Sequence, residues 1–122
     1  MEDTAKIKDI VLEIASMLDD HRAENTLVLN VSSMSSWTDF FVIATVRSQA
    51  HLKGLLDRLN AYLKHNKVNS LNNRKSRNNQ SWVLIDCGDF IIHLMEKDMR
   101  DFYELEKLWF KSESIYHSSN SS

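Results

Sequence analysis

Asp39-Phe40-Phe41-Val42-Ile43-Ala44-Thr45 decides the fold. The run is continuously apolar, of strand length and rich in β-formers, which predicts a strand buried on both faces. Such a strand needs partners at its edges and cover above and below. Upstream, Leu27-Val28-Leu29-Asn30-Val31 reads as a second short buried strand, and these two would form the centre of the sheet. Downstream, Trp82 to Asp86, then Cys87-Gly88, then Asp89 to Met95 reads as a β-hairpin, with Gly88 supplying the positive φ of the turn. Cover comes from helices. Ile7, Ile10, Val11, Ile14 and Leu18 recur at helical spacing, predicting a first helix over about 4–21. Leu52, Leu55, Leu56, Leu59 and Leu63 line one face of a second over about 48–65, capped by the Ser48 hydroxyl. Gly54 inside it reads as a close-packing position. Asp98 is expected to cap a third helix, with Met99, Phe102, Leu105 or Glu106, and Trp109 on one face and Arg100–Glu104 as an i,i+4 pair.

Residues 66–80 hold six asparagines and four basic groups and read as a loop, in which Val68 and Leu71 make at most a weak edge strand. The element order is therefore α-β-β-α-(β)-β-β-α. It implies an α+β class, a small mixed β-sheet flanked by helices, in one domain over 1–111, with 112–122 a disordered polar tail.

Composition removes several function classes. The chain has 122 residues, no proline, two glycines and one cysteine. Gly54 and Gly88 lie too far apart to build a G-x-G-x-x-G or Walker phosphate loop. One cysteine excludes an internal disulfide and a multi-cysteine zinc cage. No apolar run approaches the roughly 18 residues that span a bilayer, and Met1-Glu2-Asp3 does not open a signal peptide, so a cytoplasmic protein without membrane contact is expected. The formal charge of −2 points to no partner, but its distribution is uneven: Arg58 to Ile85 carries six Lys/Arg and no acid, between two acidic ends.

Most candidate chemistry meets a plainer explanation. Asp39, Asp86 and Asp89 stand near strand ends, where a metal-dependent nucleotidyltransferase or phosphohydrolase would hold magnesium. Aspartates beside a tight turn are equally expected as turn formers. His93 shares a strand side with Ile91 and Met95 and has no second ligand at metal spacing, which favours a hydrogen-bonded, half-buried residue. Cys87 has no base directed at it and reads as a small turn residue. Ser35, Ser36 and Thr38 form no nucleophile elbow and read as caps or turns. The basic loop (Lys64, Lys67, Arg74, Lys75, Arg77) is a candidate for phosphate contact, yet lacks the aromatics that stack bases. No catalytic, metal or cofactor residue is assigned. The third helix differs. Phe102, Tyr103, Leu105, Leu108, Trp109 and Phe110 put large apolar groups on more than one face, ringed by Asp98, Asp101, Glu104 and Glu106, and Trp82 adds another at a strand start. Aromatic anchors among acids have the composition of a protein–protein hot spot.

At these residues the chain resembles the ribosomal silencing factor (RsfS, or Iojap) family. Thr38 to Thr45 with Ser48 and His51 resembles the first family signature; Trp82 to Asp86 with Gly88, Asp89 and His93 the second; Arg100 with Phe102 to Trp109 the third. The resemblance runs from about Ile7 to Trp109. It implies a nucleotidyltransferase-like fold without the catalytic set. It also implies a non-enzymatic function: binding the large-subunit ribosomal protein numbered fourteen in the universal scheme, blocking subunit association, and repressing translation under starvation or in stationary phase. A role in large-subunit assembly would use the same surface. The residues it marks for partner binding are Trp82, Tyr103, Glu104, Leu105, Glu106, Leu108 and Trp109. It implies a homodimer when free, since exposed aromatics seek cover. Ribosomal RNA contact through the basic loop stays open. Val46 stands where the family usually has glycine, and Ala50 where arginine usually precedes the histidine. The asparagine-rich loop also lacks the family's usual glycine and acids.

Overall fold

The computed structural model describes residues 4–70, 81–104, 107 and 112–118. The elements run α1 (Thr4–Asp20), β1 (Glu24–Asn30), β2 (Phe40–Val46), α2 (Gln49–His65), β3 (Trp82–Asp86), β4 (Phe90–Glu96), α3 (Lys97–Tyr103) and β5 (Glu113–His117). The five strands form one mixed sheet in the order β3-β4-β2-β1-β5. The class is α+β, as the sequence predicts. β2 is the middle strand, buried along its whole length. It pairs parallel with β4, from Phe40 opposite Phe90 to Val46 opposite Glu96, and antiparallel with β1. The sheet centre is thus β4-β2-β1 rather than β1 and β2 alone, because α2 carries the chain over to the far side of β2. Gly88, at φ 84°, makes the β3–β4 hairpin turn as expected, and Asp86 Oδ1 accepts from its N–H at 2.9 Å.

Strand alternation divides the core in two. Val28, Phe40, Val42, Ala44, Ile85, Phe90, Ile92 and Leu94 face α1 and α2. Leu27, Leu29, Phe41, Ile43, Ile91 and Met95 face the other way, with Trp82 and Met99 packed on them. The helical layer is held by its leucines and by the Tyr62 hydroxyl donating to Glu13. Ser48 caps α2 as expected, its hydroxyl accepting from the His51 N–H at 3.0 Å. No helix among the described residues is long and apolar enough to cross a membrane.

The structure corrects several expectations. Residues 113–117, expected within a polar tail, form β5 on the free edge of β1, with Ile115 and Tyr116 against the helical-side core. Their short polar pattern carries no strand signal of its own; the unpaired backbone of β1 supplies it. Val68 is no edge strand. Its N–H donates to Leu63 O at 2.8 Å and Lys67 N–H to Lys64 O at 3.1 Å, which closes α2 with a Schellman cap and turns Val68 onto the core. Leu71 lies outside the described residues. Gly54 is not closely packed: a Cβ there would meet nothing within 4 Å. Asp98 is not the cap of α3, which begins after Glu96 without a side-chain cap. Arg100 does not pair with Glu104 on the surface. It is 7 % exposed and donates to Asn25 O at 2.7 Å and Thr45 Oγ1 at 3.0 Å, while Glu104 pairs with Lys107 at 3.0 Å. With Arg100 and Met99 turned to the sheet, Phe102 does not share their buried face.

Candidate docking surface

On the sheet face opposite α1 and α2, aromatic rings form a continuous series. Trp37 lies 6.3 Å from Phe41 between centroids, Phe41 4.9 Å from His93, His93 5.9 Å from Trp82, Trp82 5.1 Å from Tyr103, and Tyr103 5.0 Å from Phe102. Register explains the middle of it. Phe41 on β2 stands beside Ile91, His93 is two residues further along β4, and β3 brings Leu84 opposite His93 and Trp82 opposite Met95. α3 follows β4 directly and sets Tyr103 against Trp82.

The series is buried in its middle and open at its ends. His93 is 4 % exposed, whereas Trp37 is 61 %, Tyr103 47 % and Phe102 78 % exposed, and Leu84 beside them is 40 %. Contiguous large apolar side chains left in water mark an interaction surface. Their rim is charged but partly self-compensated. Lys97 pairs with Asp101 at 2.8 Å, raising the lysine's pKa through that hydrogen bond, and Lys107 pairs with Glu104; Asp98 is exposed in the first turn of α3.

The titratable groups buried in the β3–β4 hairpin, His93 on the aromatic face and Cys87 on the helical side, are tuned toward neutrality rather than reaction. Burial lowers the His93 pKa to about 4, and its Nδ1 accepts from the Trp82 indole N–H at 3.2 Å. Burial, with the Asp86 charge beside it, pushes the Cys87 thiol up to about 12, so it carries no thiolate at neutral pH. Asp86 caps the hairpin turn, and Asp39 joins β2 to that turn through its N–H to Asp89 O at 2.9 Å. No cluster of three or more His, Cys, Asp or Glu side chains among the described residues is arranged to hold a metal ion. Ser35 is a turn former, its hydroxyl accepting from the N–H groups of Trp37 and Thr38. His51 is a staple: Nδ1 accepts from Arg47 N–H at 2.9 Å, so Nε2 donates to His21 O at 2.8 Å, tying the end of α1 to the start of α2.

Of the residues marked for partner binding, Trp82 and Tyr103 are in ring contact, and Glu104 follows them at the end of α3. Leu105, Glu106, Leu108 and Trp109 lie outside the described residues, as does the 71–80 part of the basic loop. Nothing in the residue spacing marks Trp37 or Leu84 as members of this face, whereas Phe102, one of the expected aromatic anchors, is its most open ring. A tryptophan in the serine-rich turn Ser35-Ser36-Trp37 was the available signal, since a turn on the surface has no core to receive it.

Comparison with known proteins agrees with this architecture. The family model described as "Ribosomal silencing factor during starvation" (RsfS) matches residues 4–122. The chain is similar to the ribosomal silencing factor RsfS of Bacillus subtilis, 31 % identical over 102 residues, covering 84 % of this chain and 86 % of that protein. It is similar to the mouse "Mitochondrial assembly of ribosomal large subunit protein 1", 35 % identical over 98 residues, covering 79 % of this chain and 43 % of that protein. A crystal structure of a Chromobacterium violaceum protein superposes with a TM-score of 0.73 at 25 % identity, covering 99 % of this chain and 97 % of the other.

Proposed function

The chain belongs to the ribosomal silencing factor (RsfS/Iojap) family, and from that premise we propose that it docks on the large ribosomal subunit and blocks subunit joining. The family is non-enzymatic, which sets aside the reading of Asp39, Asp86 and Asp89 as a magnesium site; they serve the hairpin turn and its junction with β2. The observation that carries the proposal is the open aromatic face, with Tyr103 in contact with both Trp82 and Phe102 on one side of a sheet whose other side is closed by helices. Aromatic anchors supply most of the binding energy of protein interfaces. The partner this face suits is a ribosomal protein, the fourteenth of the large subunit in the universal numbering. Silencing then follows from bulk: a body seated where the small subunit must land excludes it, with no bond made or broken. Starvation is the condition in which that exclusion would serve. When no ribosome is present, the same rings offer a contact to a second copy. The location is wherever subunits meet, the cytoplasm in a bacterium.

Sedimentation of purified subunits tests the reading. Stoichiometric protein should convert joined ribosomes to free subunits and travel with the large one; unaltered joining in excess protein would sink it. Phe102→Glu should abolish co-sedimentation while leaving thermal stability unchanged, because the ring is mostly in water already. The name of the mouse relative favours a second reading, large-subunit assembly through the same surface. Depletion of the protein separates the two: an assembly role leaves immature large subunits, and silencing leaves mature ones that join too readily.

A further inference from the structure

We propose that His93 is a positioning residue for docking, holding the Trp82 indole by accepting its N–H. The inference rests on the docking reading above and assigns to one buried side chain the orientation of its principal ring.

His93 sits on β4 with Phe41 edge-on at 4.9 Å, Leu84 opposite it in register and the Trp82 ring tilted at 5.9 Å. At 4 % exposure it has lost nearly all contact with water. Nδ1 accepts from Trp82 Nε1–H at 3.2 Å, so the ring proton resides on Nε2, and Nε2 is buried with no hydrogen-bond partner among the described residues. An imidazole with one ring nitrogen unmet is a poor choice for filling space, because leucine or phenylalanine would occupy the position without the desolvation penalty. What the imidazole supplies and they do not is an acceptor at the Nδ1 position. It is aimed at the one donor of a tryptophan that is itself only half-buried.

The consequence concerns entropy. Trp82 starts β3 at the edge of the sheet, flanked by His93 on one side and Tyr103 at 5.1 Å on the other. A half-buried ring on an edge strand has more than one rotamer open to it, and a partner that buries the ring must freeze it. Ring contact with Tyr103 alone restricts tilt, whereas a directed N–H···N bond also selects which edge of the indole faces outward. Fixing that choice before encounter removes an ordering cost from binding. His93 therefore acts on the partner without touching it.

The test compares binding to purified large subunits for four single variants and one double. His93→Phe keeps a ring against Phe41 and Trp82 but has no acceptor. His93→Asn places Oδ1 close to where Nδ1 stood. Trp82→Phe removes the donor but keeps an aromatic ring, and Trp82→Ala removes the anchor. His93→Phe and Trp82→Phe should each weaken binding by about threefold to tenfold, the size of one net hydrogen bond, and their combination should be no weaker than the weaker single variant. His93→Asn should stay within about twofold of the native protein. Hydrogen exchange of the Trp82 indole N–H should be slow in the native protein and in His93→Asn, and fast in His93→Phe. A His93→Phe that binds normally while Trp82→Ala fails overturns the proposal and leaves the docking reading standing. So does a His93→Asn as weak as His93→Phe, or multiplicative losses in the double variant. A Trp82→Ala that binds like the native protein overturns the docking reading, and the role of His93 with it. Should His93→Phe not fold, Trp82→Phe and His93→Asn carry the test: a Trp82→Phe that binds normally refutes the proposal.

Discussion

On folding, the His93 imidazole loses its water, and this burial pulls its pKa from the ordinary 6.5 to about 4, while its Nδ1 accepts one hydrogen bond from Trp82. The sign of the stability effect follows. Above about pH 6.5 the ring is neutral both folded and unfolded, and stability is full. Between 6.5 and 4 the unfolded chain takes a proton that the native sheet refuses, so stability falls as the pH falls. The loss is complete near pH 4 and amounts to about 3 kcal/mol. Thermal unfolding between pH 7 and 4 should therefore show a shallower decline for His93→Asn than for the native protein, because carboxylates contribute equally to both. Equal slopes would mean that His93 is not the group refusing the proton. Alternation along the strand correctly gave His93 the company of Ile91 and Met95. Its depth was not legible, because the cover over that face arrives from β3 and α3, which sequence spacing does not align with β4.

At the level of elements, the chain spends glycine where none is needed and lacks it where the backbone would favour it. α1, α2 and α3 each end at a residue in the left-handed region: Arg22 at φ 71°, Lys67 at 58° and Glu104 at 49°. At the first two the pattern is a full Schellman cap, with Ala23 N–H on Leu18 O at 2.9 Å and Val68 N–H on Leu63 O at 2.8 Å. A side chain in this region crowds its own carbonyl, at about 1 kcal/mol or more. Gly54, by contrast, stands inside α2 facing open space. Lys67→Gly should stabilise by about 1 kcal/mol, and Gly54→Ala by about 0.5–1 kcal/mol, each visible as a rise of a few degrees in Tm. A fall in Tm for Gly54→Ala would restore the packing role that spacing suggested. The elements themselves were largely legible. Leucine periodicity gave α2 and its Ser48 cap, and the Gly88 turn gave β3 and β4, because each depends on residues adjacent in the chain. β5 and the inward turn of Arg100 were not, because their causes are distant: the open edge of β1, and the carbonyl of Asn25, which a bulge in β1 leaves outside the ladder with β2.

The whole molecule has two unlike sides, and this fixes the kind of inhibition it can exert. One side of the sheet is closed by α1 and α2, with charged and polar residues outermost; the other ends in the rings of Trp37, Trp82, Tyr103 and Phe102. A molecule that docks by the aromatic side presents its helical side outward, where it obstructs whatever approaches. If the obstruction is steric, the protein and the small subunit are mutually exclusive ligands of the large subunit, and exclusion is reciprocal. Small subunits at about ten times their own Kd for the large subunit should then raise the apparent Kd of the protein about tenfold, in linear proportion and without a plateau. The competing view, in which docking merely changes the shape of the large subunit, allows a ternary complex and predicts that the shift saturates. Titrating labelled protein against large subunits at rising small-subunit concentration distinguishes them. Phe102→Glu serves as the control that removes binding, and Lys53→Glu, an exposed reversal on α2, as the control that keeps it. A saturating shift, or sedimentation of all three components together, would exclude steric silencing.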